Sequence, residues 1–272
     1  MNNETQHNAR NYTISEYIAL IFQYRHMIYT LALRDLRVKY VQSRLGLLWT
    51  VIQPISAIAL YTFFFTYVFD IQFSEYPYVL YVFSGIIPWT LFSHLLNHGS
   101  ASLVQNQEII RKIKFPKIIL VLVKALVGVV EVLPALFILL CTIPFLGLDV
   151  QWTFLWIPLI LILNLMICLI IPILISALTV SSRDAIHIVP YLANFGIWLT
   201  PVFWVSKDGP DFLRILADLN PLTFILSLYR WALFGSVIQW SSVWSCAAAL
   251  VILLPIGFLI FKRREKYIID EI

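Results

Sequence analysis

Long, continuous runs of apolar residues alternate with short polar segments along most of this 272-residue chain. A helix needs roughly 20 apolar residues to cross a bilayer core about 30 Å thick, so a run of that length predicts a transmembrane helix. The apolar residues are consecutive rather than alternating, which favours helices over the strands of a membrane barrel. Six such helices are predicted, over residues 48–69, 79–97, 118–145, 152–179, 186–205 and 243–261. The pattern indicates an all-α integral membrane protein.

The segment before the first predicted span, residues 14–47, has the pattern of an amphipathic helix. Apolar residues recur every three or four positions at Ile14, Tyr17, Ile18, Ile21, Ile28 and Leu31, and basic residues follow at Arg34, Arg37, Lys39 and Arg44. Such a helix lies in the membrane interface with its basic face towards anionic lipid. A solvated cytoplasmic helix is the alternative that the pattern leaves open.

Residues 206–242, before the last span, are more apolar than a loop needs to be. A short apolar face ends at Asn220-Pro221, where proline disfavours helical geometry in the residue before it. A second apolar stretch, 222–234, has thirteen residues, which are too few to cross the bilayer. We therefore predict two short re-entrant helices over 211–234, a geometry tolerated where protein buries the turn between them.

Composition supports the membrane assignment, and the placement of charge orients it. Apolar residues make up 60% of the chain and charged residues 12%, whereas soluble domains are roughly half apolar and a quarter charged. Fifteen of the 19 basic residues lie in the two terminal segments and the even-numbered connections, and three lie in the opposite connections. Basic flanks resist translocation, so both termini are predicted to be cytoplasmic. Residues 1–47 then form a cytoplasmic interfacial segment, 48–261 the membrane domain and 262–272 a cytoplasmic tail.

Motifs for several classes of chemistry are missing from the sequence. No glycine is followed by lysine, and no glycine pair has the spacing of a phosphate-binding loop. Neither HExxH nor GxSxG occurs. Cys141, Cys168 and Cys246 lack the spacing of a disulfide framework or a metal site. We therefore expect no catalytic residue, metal or cofactor in this chain.

Charged and polar residues within the predicted spans suggest a buried cluster. Glu131 lies in the middle of the third span, and Lys124 lies seven residues earlier on nearly the same helix face. Seven residues correspond to about 10 Å of rise, so the two need a bend or a neighbouring partner to pair. An acid in the membrane faces a bundle interior or a wet cavity, as part of a functional pathway or as a structural group. His94 and His98, near the inner end of the second span, are interpreted as a polar lining.

The connection over residues 105–116 is polar, cationic and helix-forming, and Pro116 closes it just before the third span. One interpretation is a short helix on the cytoplasmic face that transmits displacement from a soluble partner to the second and third spans. The other is a positively charged loop that only fixes topology. The residues alone leave both interpretations open.

Several segments together resemble the polysaccharide-exporting permeases of the ABC-2 type. Residues 34–40, with Leu45-Gly46 and Trp49, resemble that family's approach to its first span. Asn106 and residues 110–116 resemble its first coupling helix, and Ser182-Arg183-Asp184 resembles its second cytoplasmic turn. Residues 200–204 and 220–222 resemble its outer ends. The order, spacing and six-span topology match over nearly the whole chain.

This resemblance implies a homodimeric channel in a bacterial cytoplasmic membrane. Its substrate would be a polysaccharide linked to a polyprenyl pyrophosphate, such as O-antigen, capsule or teichoic acid. The family works with a separate ATPase, so two copies of that subunit are expected partners, with ATP and Mg²⁺ bound to them. Membrane lipid is expected as a partner, and nucleic acid is not.

The resemblance also assigns roles to individual residues. The implied ATPase-coupling residues are Glu108, Ile109, Ile110, Arg111, Lys112, Lys114, Phe115, Arg183 and Asp184. The implied channel lining, where aromatic rings offer sugars a flat apolar face, is Tyr61, Phe64, Tyr67, Phe203 and Trp204. The implied outer gate contains Asn220, Pro221 and Arg230. Because guanidinium groups suit pyrophosphate, we hypothesise that the carrier binds the basic cluster Arg34, Arg37, Lys39 and Arg44.

Two other functions are alternatives to transport driven by a separate ATPase. A membrane enzyme acting on a lipid-linked sugar needs acid–base groups gathered at one membrane face. The outer connection holds Asp208, Asp211 and Asp218 without a histidine, which disfavours this alternative. A secondary transporter is disfavoured because no internal repeat is visible.

Overall fold

A computed structural model of the protein describes residues 14–41, 44–64, 77–180, 184–205 and 210–271, and this part of the chain is helical without strands. The α-helices in chain order are α1 (Ile14–Gln23), α2 (Arg25–Val41), α3 (Trp49–Phe63), α4 (Tyr78–His94), α5 (Ser102–Gln105), α6 (Gln107–Lys112), α7 (Ile118–Phe145), α8 (Ile157–Thr179), α9 (Asp184–Leu199), α10 (Asp211–Leu219), α11 (Pro221–Phe234), α12 (Val243–Ala248) and α13 (Leu254–Glu271). The predicted all-α fold class is confirmed.

Four continuous helical stretches within the described residues are long and apolar enough to cross a membrane. They are Tyr78–Gly99, Ile118–Phe145, Trp152–Thr179 and Trp240–Ile268. These stretches correspond to the second, third, fourth and sixth predicted spans. Tyr78–Gly99 has 72% of its most apolar part buried in the protein, against 17% for Trp240–Ile268. Helix α4 is therefore the centre of the bundle, and α12–α13 lie at its edge.

The first and fifth predicted spans form shorter helices. Helix α3 has 15 residues, and part of the prediction for residues 48–69 falls outside the described residues. Helix α9 has 16 residues and ends at Leu199, because Pro201 disfavours helical geometry at Thr200. Both helices are shorter than the roughly 20 residues that a span needs. The count of six spans therefore stays a prediction.

The two short helices predicted over 211–234 are present as α10 and α11, bent by 86° at their junction. Asn220 begins α11 with its side-chain Oδ1, which accepts a hydrogen bond from the Leu222 amide at 3.0 Å. Pro221 occupies the first turn, where its missing N–H leaves no helical hydrogen bond unmade. Gly235 ends the helix in the left-handed conformation with φ of 71°. The pair is either a broken span or a re-entrant loop, so its depth in the membrane stays a prediction.

The predicted amphipathic segment forms two helices, α1 and α2, that meet near Tyr24. Tyr17 and Ala32 are buried in an apolar core together with Phe115 and Ile268. The segment therefore packs part of its apolar surface against protein, whereas other apolar side chains, such as Phe22 and Val38, stay exposed.

Two apolar clusters account for most of the buried interior. The larger one joins α4, α7, α8 and α11, and it extends to the end of the bundle that holds α10 and α11, here called the α10–α11 end. The second cluster lies at the opposite end, here called the α6 end, and joins α1, α6, α7 and α13. Each end of the bundle thus has its own core, and a polar cluster borders each of them.

Candidate functional site

Helix α6 is short, and side-chain hydrogen bonds anchor its start. Asn106 precedes it, and its side chain donates to the Ser102 carbonyl at 2.8 Å and accepts from Arg34 Nη2 at 3.1 Å. After Lys112 the backbone becomes extended at Ile113, with φ of −130° and ψ of 137°. Only residues 113–117 then separate α6 from α7. A displacement of α6 is therefore passed to α7 over a very short connection.

The two faces of the predicted coupling segment have different environments. Ile110 is 3% exposed and Phe115 is 6% exposed, and both belong to the core at the α6 end. The side chains of Glu108 and Lys112 are 89% and 75% exposed and lie 3.6 Å apart. Arg111 and Lys114 are exposed as well, whereas Ile109 is half-buried.

This placement reduces the number of predicted coupling residues that a partner could contact. The side chains of Ile110 and Phe115 face the chain's own core, so they anchor the segment and do not lie on the surface a partner would contact. The helical period explains this outcome, because positions on one side of a short helix face inward and those on the other side face outward. Asp184 is exposed at the start of α9, and Arg183 lies outside the described residues.

Two of the four basic residues hypothesised to bind pyrophosphate are engaged within the chain. Arg34 pairs with Asp35 at 2.8 Å and also contacts Asn106. Lys39 pairs with Glu131 at 2.6 Å. Arg37 and Arg44 are exposed, and neither has an ion pair with another described residue. The structure therefore leaves Arg37 and Arg44 more accessible to an anion than Arg34 and Lys39.

Glu131 is surrounded by donors from two other helices. Its Oε1 accepts from Lys39 Nζ at 2.6 Å and from the Tyr40 hydroxyl at 2.9 Å. Its Oε2 lies 3.1 Å from His94 Nδ1. The His94 ring lies 4.7 Å from that of His98. The predicted polar lining at His94 is therefore part of a cluster centred on Glu131.

A second ion pair lies nearer the α6 end of the same interface. Lys124 Nζ contacts Asp35 Oδ2 at 2.7 Å. Burial alone would raise the pKa of Asp35, but the hydrogen bonds and positive charges of Lys124 and Arg34 outweigh it and hold that pKa below its usual value. The sequence pattern singles out Lys124 and Glu131. It does not indicate that Asp35 is the partner of Lys124 or that Tyr40 is a partner of Glu131. The available signal was the pair of opposite charges at Asp35 and Lys39, one helical turn apart on α2.

Next to this cluster lies a cavity of about 180 Å³ between α2, α3, α4 and α7. Tyr40, Thr50, Gln53, Thr90 and Glu131 contribute its polar lining. The rest of the wall consists of Pro54, Ala57, Ile86, Ile87, Val132 and Ala135. The polar cluster thus borders a partly open pocket within one copy of the chain.

A second polar cluster, at the α10–α11 end, is built around Arg230. Its guanidinium lies 3.5 Å from the centre of the Tyr81 ring, and Nη2 donates to the Pro201 carbonyl at 2.8 Å. The Tyr81 hydroxyl donates to the Trp204 carbonyl at 2.7 Å. Asn220 joins the same loop through Thr200 Oγ1 at 2.9 Å. Arg230 and Asn220, both predicted for the outer gate, are thus brought together on the loop after α9.

The aromatic residues predicted to line a channel are placed differently from one another. Phe203 is 1% exposed and packs against Tyr61, with ring centres 4.2 Å apart. Trp204 is half-buried and donates from Nε1 to the Trp198 carbonyl at 3.1 Å. Phe64, the residue directly after α3, is exposed, and Tyr67 lies outside the described residues. Phe203 is therefore a core residue of the single chain, and no local sequence feature indicates that it packs inward.

Comparison with known proteins relates this sequence to transporters. The O-antigen export system permease protein RfbA of Myxococcus xanthus is 27% identical over 91% of this chain and 96% of its own length. A protein of the same name from Klebsiella pneumoniae is 26% identical over 88% of this chain and 92% of its own. The polysialic acid transport protein KpsM of Escherichia coli is 22% identical over 87% and 92%. The family described as ABC-2 type transporter matches residues 26–234, so this chain belongs to that family.

Proposed function

We propose that this chain is the membrane permease subunit of an ABC transporter that exports a lipid-linked polysaccharide. Two copies would form the passage, and two copies of a separate ATPase, with ATP and Mg²⁺, would drive it. Membership of the ABC-2 transporter family favours transport over the alternative of a membrane enzyme acting on a lipid-linked sugar. The names of the relatives, O-antigen export and polysialic acid transport, support polysaccharide as the substrate class.

The observation that carries the proposal is the two-sided character of α6. Its apolar residue Ile110 is fixed in the core at the α6 end, and Glu108, Arg111 and Lys112 are exposed. A helix held on one side by its own chain and charged on the other suits contact with a soluble partner. We therefore assign Glu108, Arg111, Lys112 and Lys114 to ATPase contact, with Ile109 at its margin.

The passage is proposed to lie where two copies meet along α3 and α9. Both helices present exposed aromatic side chains, among them Phe63 and the following Phe64 at the end of α3, and Tyr191, Phe195 and Trp198 on α9. Such rings offer a sugar chain flat apolar surfaces with few charges. The Arg230 cluster, with α10 and α11, would form the outer gate, and Arg37 with Arg44 would receive the pyrophosphate of a polyprenyl carrier.

The proposed placement is a bacterial cytoplasmic membrane with both termini in the cytoplasm. In this arrangement α3 and α9 complete the six spans, and α10–α11 enter the outer leaflet and return. The distribution of basic residues along the sequence supports this orientation, since fifteen lie in the segments assigned to the cytoplasm.

The proposal is tested by reversing charge on the exposed face of α6. The double variant Arg111→Glu with Lys114→Glu is expected to weaken copurification of the ATPase subunit by at least about tenfold, since mismatched charges oppose docking. Arg214→Glu, at the α10–α11 end, is the matched control and should leave copurification unchanged. ATP-dependent export is then measured in proteoliposomes that contain the polyprenyl-linked polysaccharide.

Two outcomes would contradict the proposal. The first is a double variant that binds the ATPase and exports as the unmodified chain does. The second is a purified chain that chemically converts the lipid-linked sugar without any ATPase, which would instead support the membrane-enzyme alternative.

A further inference from the structure

Glu265 of α13 is a buried carboxylate at the α6 end that is separate from the clusters described so far. It is 4% exposed. Its Oε2 accepts a hydrogen bond from the Tyr17 hydroxyl at 2.5 Å, and its Oε1 accepts from the backbone amide of Lys117 at 2.5 Å. The three residues belong to α1, to the start of α7 and to α13. One carboxylate therefore joins three elements that are distant in sequence.

The bond to Lys117 has a specific position in the chain. Lys117 immediately precedes α7, where backbone N–H groups have no partner within the helix. A negative charge at this end is also favoured by the helix dipole. Lys117 is at the same time the last residue of the short connection from α6. Glu265 thus holds the point at which a displacement of α6 reaches α7.

Neighbouring contacts make this point rigid. Lys117 is buried, and its ammonium group donates to the Phe115 carbonyl at 2.9 Å and lies 4.7 Å from the centre of the Phe115 ring. Phe261 and Ile268, four and three residues from Glu265 on α13, are fully buried in the same apolar core as Ile110. The carboxylate is therefore set between two apolar contacts of α13 with the α6 end.

We infer that Glu265 is a positioning residue that fastens the end of the α6 connection to α13 and α1, so that movement of α6 displaces α13 together with α7. This inference rests on the proposed function, because it requires a partner ATPase that moves α6. Through Glu265 the last helix receives the displacement directly, although it is not adjacent to α6 in sequence. A buried carboxylate is costly to desolvate. Its two hydrogen bonds hold α13 to α1 and to the start of α7, the elements that would move together.

The test compares variants in the chain assembled with its ATPase and reconstituted in liposomes. Glu265→Ala removes both hydrogen bonds, Tyr17→Phe removes one, and Glu265→Gln retains an acceptor for the Lys117 amide. Tyr29→Phe is the matched control for the tyrosine change, since Tyr29 is 59% exposed on α2. The readout is polysaccharide exported per ATP hydrolysed, which a simple loss of folded protein does not change.

Glu265→Ala is expected to lower export per ATP about tenfold while ATP hydrolysis continues, because two buried donors lose their acceptor. Tyr17→Phe should lower it several-fold, because the buried carboxylate then loses one of its two donors. Glu265→Gln should restore most of the ratio, and Tyr29→Phe should match the unmodified chain. An unchanged ratio in Glu265→Ala would overturn the inference. The ratio also stays unchanged when export and hydrolysis fall in the same proportion, and that result indicates only a loss of active protein.

Hydrogen exchange on the purified chain separates this inference from the proposed function. Glu265→Ala should speed exchange at the amides of residues 107–120, and Tyr29→Phe should not. Exchange that is unchanged by Glu265→Ala would contradict the fastening role whatever the chain transports. If the unmodified chain shows no nucleotide-dependent export, the proposed function fails, whereas failure confined to the Glu265 variants leaves that function in place.

Discussion

The ammonium group of Lys39 lies 2.6 Å from a carboxylate oxygen of Glu131, although 92 residues separate the two in sequence. The bond joins α2 to the middle of α7, and the Asp35–Lys124 pair joins the same two helices nearer the α6 end. Lys124 and Glu131 thus do not pair with each other, because a neighbouring helix supplies each with its own partner. The amphipathic segment is consequently fastened to the membrane bundle.

Removing the Glu131 carboxylate should destabilise the protein markedly. Glu131→Ala leaves Lys39, Tyr40 and His94 without their shared acceptor, so we expect the free energy of unfolding to fall by about 2 kcal/mol. The measurement is the thermal unfolding midpoint in detergent. Glu108→Ala, on the exposed face of α6, is the control and should have little effect. Equal midpoints for the two variants would show that the cluster around Glu131 does not stabilise the fold.

The Asp35–Lys124 pair should stabilise the protein in a pH-dependent way. Because the pKa of Asp35 is lower in the folded protein than in the unfolded chain, the pair contributes fully above the unfolded value of about 3.9. That contribution is lost as the pH falls through the lower, folded pKa. The difference in unfolding midpoint between the unmodified protein and Asp35→Asn should therefore be constant near neutral pH and shrink below about pH 4. A difference that grows on acidification would contradict this assignment.

Arg230 should not be replaceable by lysine. Lysine keeps the charge but lacks the planar group that stacks on the Tyr81 ring and donates to the Pro201 carbonyl. We expect Arg230→Lys to lower the free energy of unfolding by about 1–2 kcal/mol. Arg214→Lys, at an exposed position on α10, is the control and should be neutral. A neutral result for Arg230→Lys would indicate that charge alone holds the loop after α9.

Gly128 should resist substitution because α4 and α7 approach closely there. A Cβ atom at this position would lie 2.8 Å from Cδ2 of His94, so Gly128→Ala has to displace the imidazole that contacts Glu131. We expect a loss of about 1–3 kcal/mol in the free energy of unfolding from overpacking. Gly257→Ala is the milder control, because a Cβ atom there would lie 3.3 Å from its nearest neighbour, Cγ of the flexible Leu174 side chain. Equal stability in the two variants would contradict this packing argument.

Much of the fold follows from local sequence features. The bounds predicted for the third and fourth spans, 118–145 and 152–179, are those of the observed helical stretches, because long apolar runs end at polar or turn residues. The turn at Asn220-Pro221 was also predictable, since proline sets the start of α11. The end of α9 at Leu199 was not predicted, although Pro201 disfavours helical geometry at the residue before it.

The contacts within the sites were harder to predict from the sequence. The position of α6 was predicted from its charge and from Pro116, but the inward orientation of Phe115 was not. The contacts of Lys39 with Glu131 and of Arg34 with Asn106 were not predicted, because these partners lie 92 and 72 residues away in sequence. Charge patterns reveal which residues need a partner, and only the packing of helices reveals which partner they meet.

The sequence by itself determined that this is a helical membrane protein, where most of its helices lie and which end carries the positive charge. These properties depend on the local cost of placing apolar and charged residues in water or lipid. The tertiary structure alone decided that α2 is held by Glu131 and Lys124, that Arg230 is stacked on Tyr81, and that Glu265 joins α1, α7 and α13. Those contacts depend on how helices far apart in the chain approach one another, which no local pattern of residues encodes.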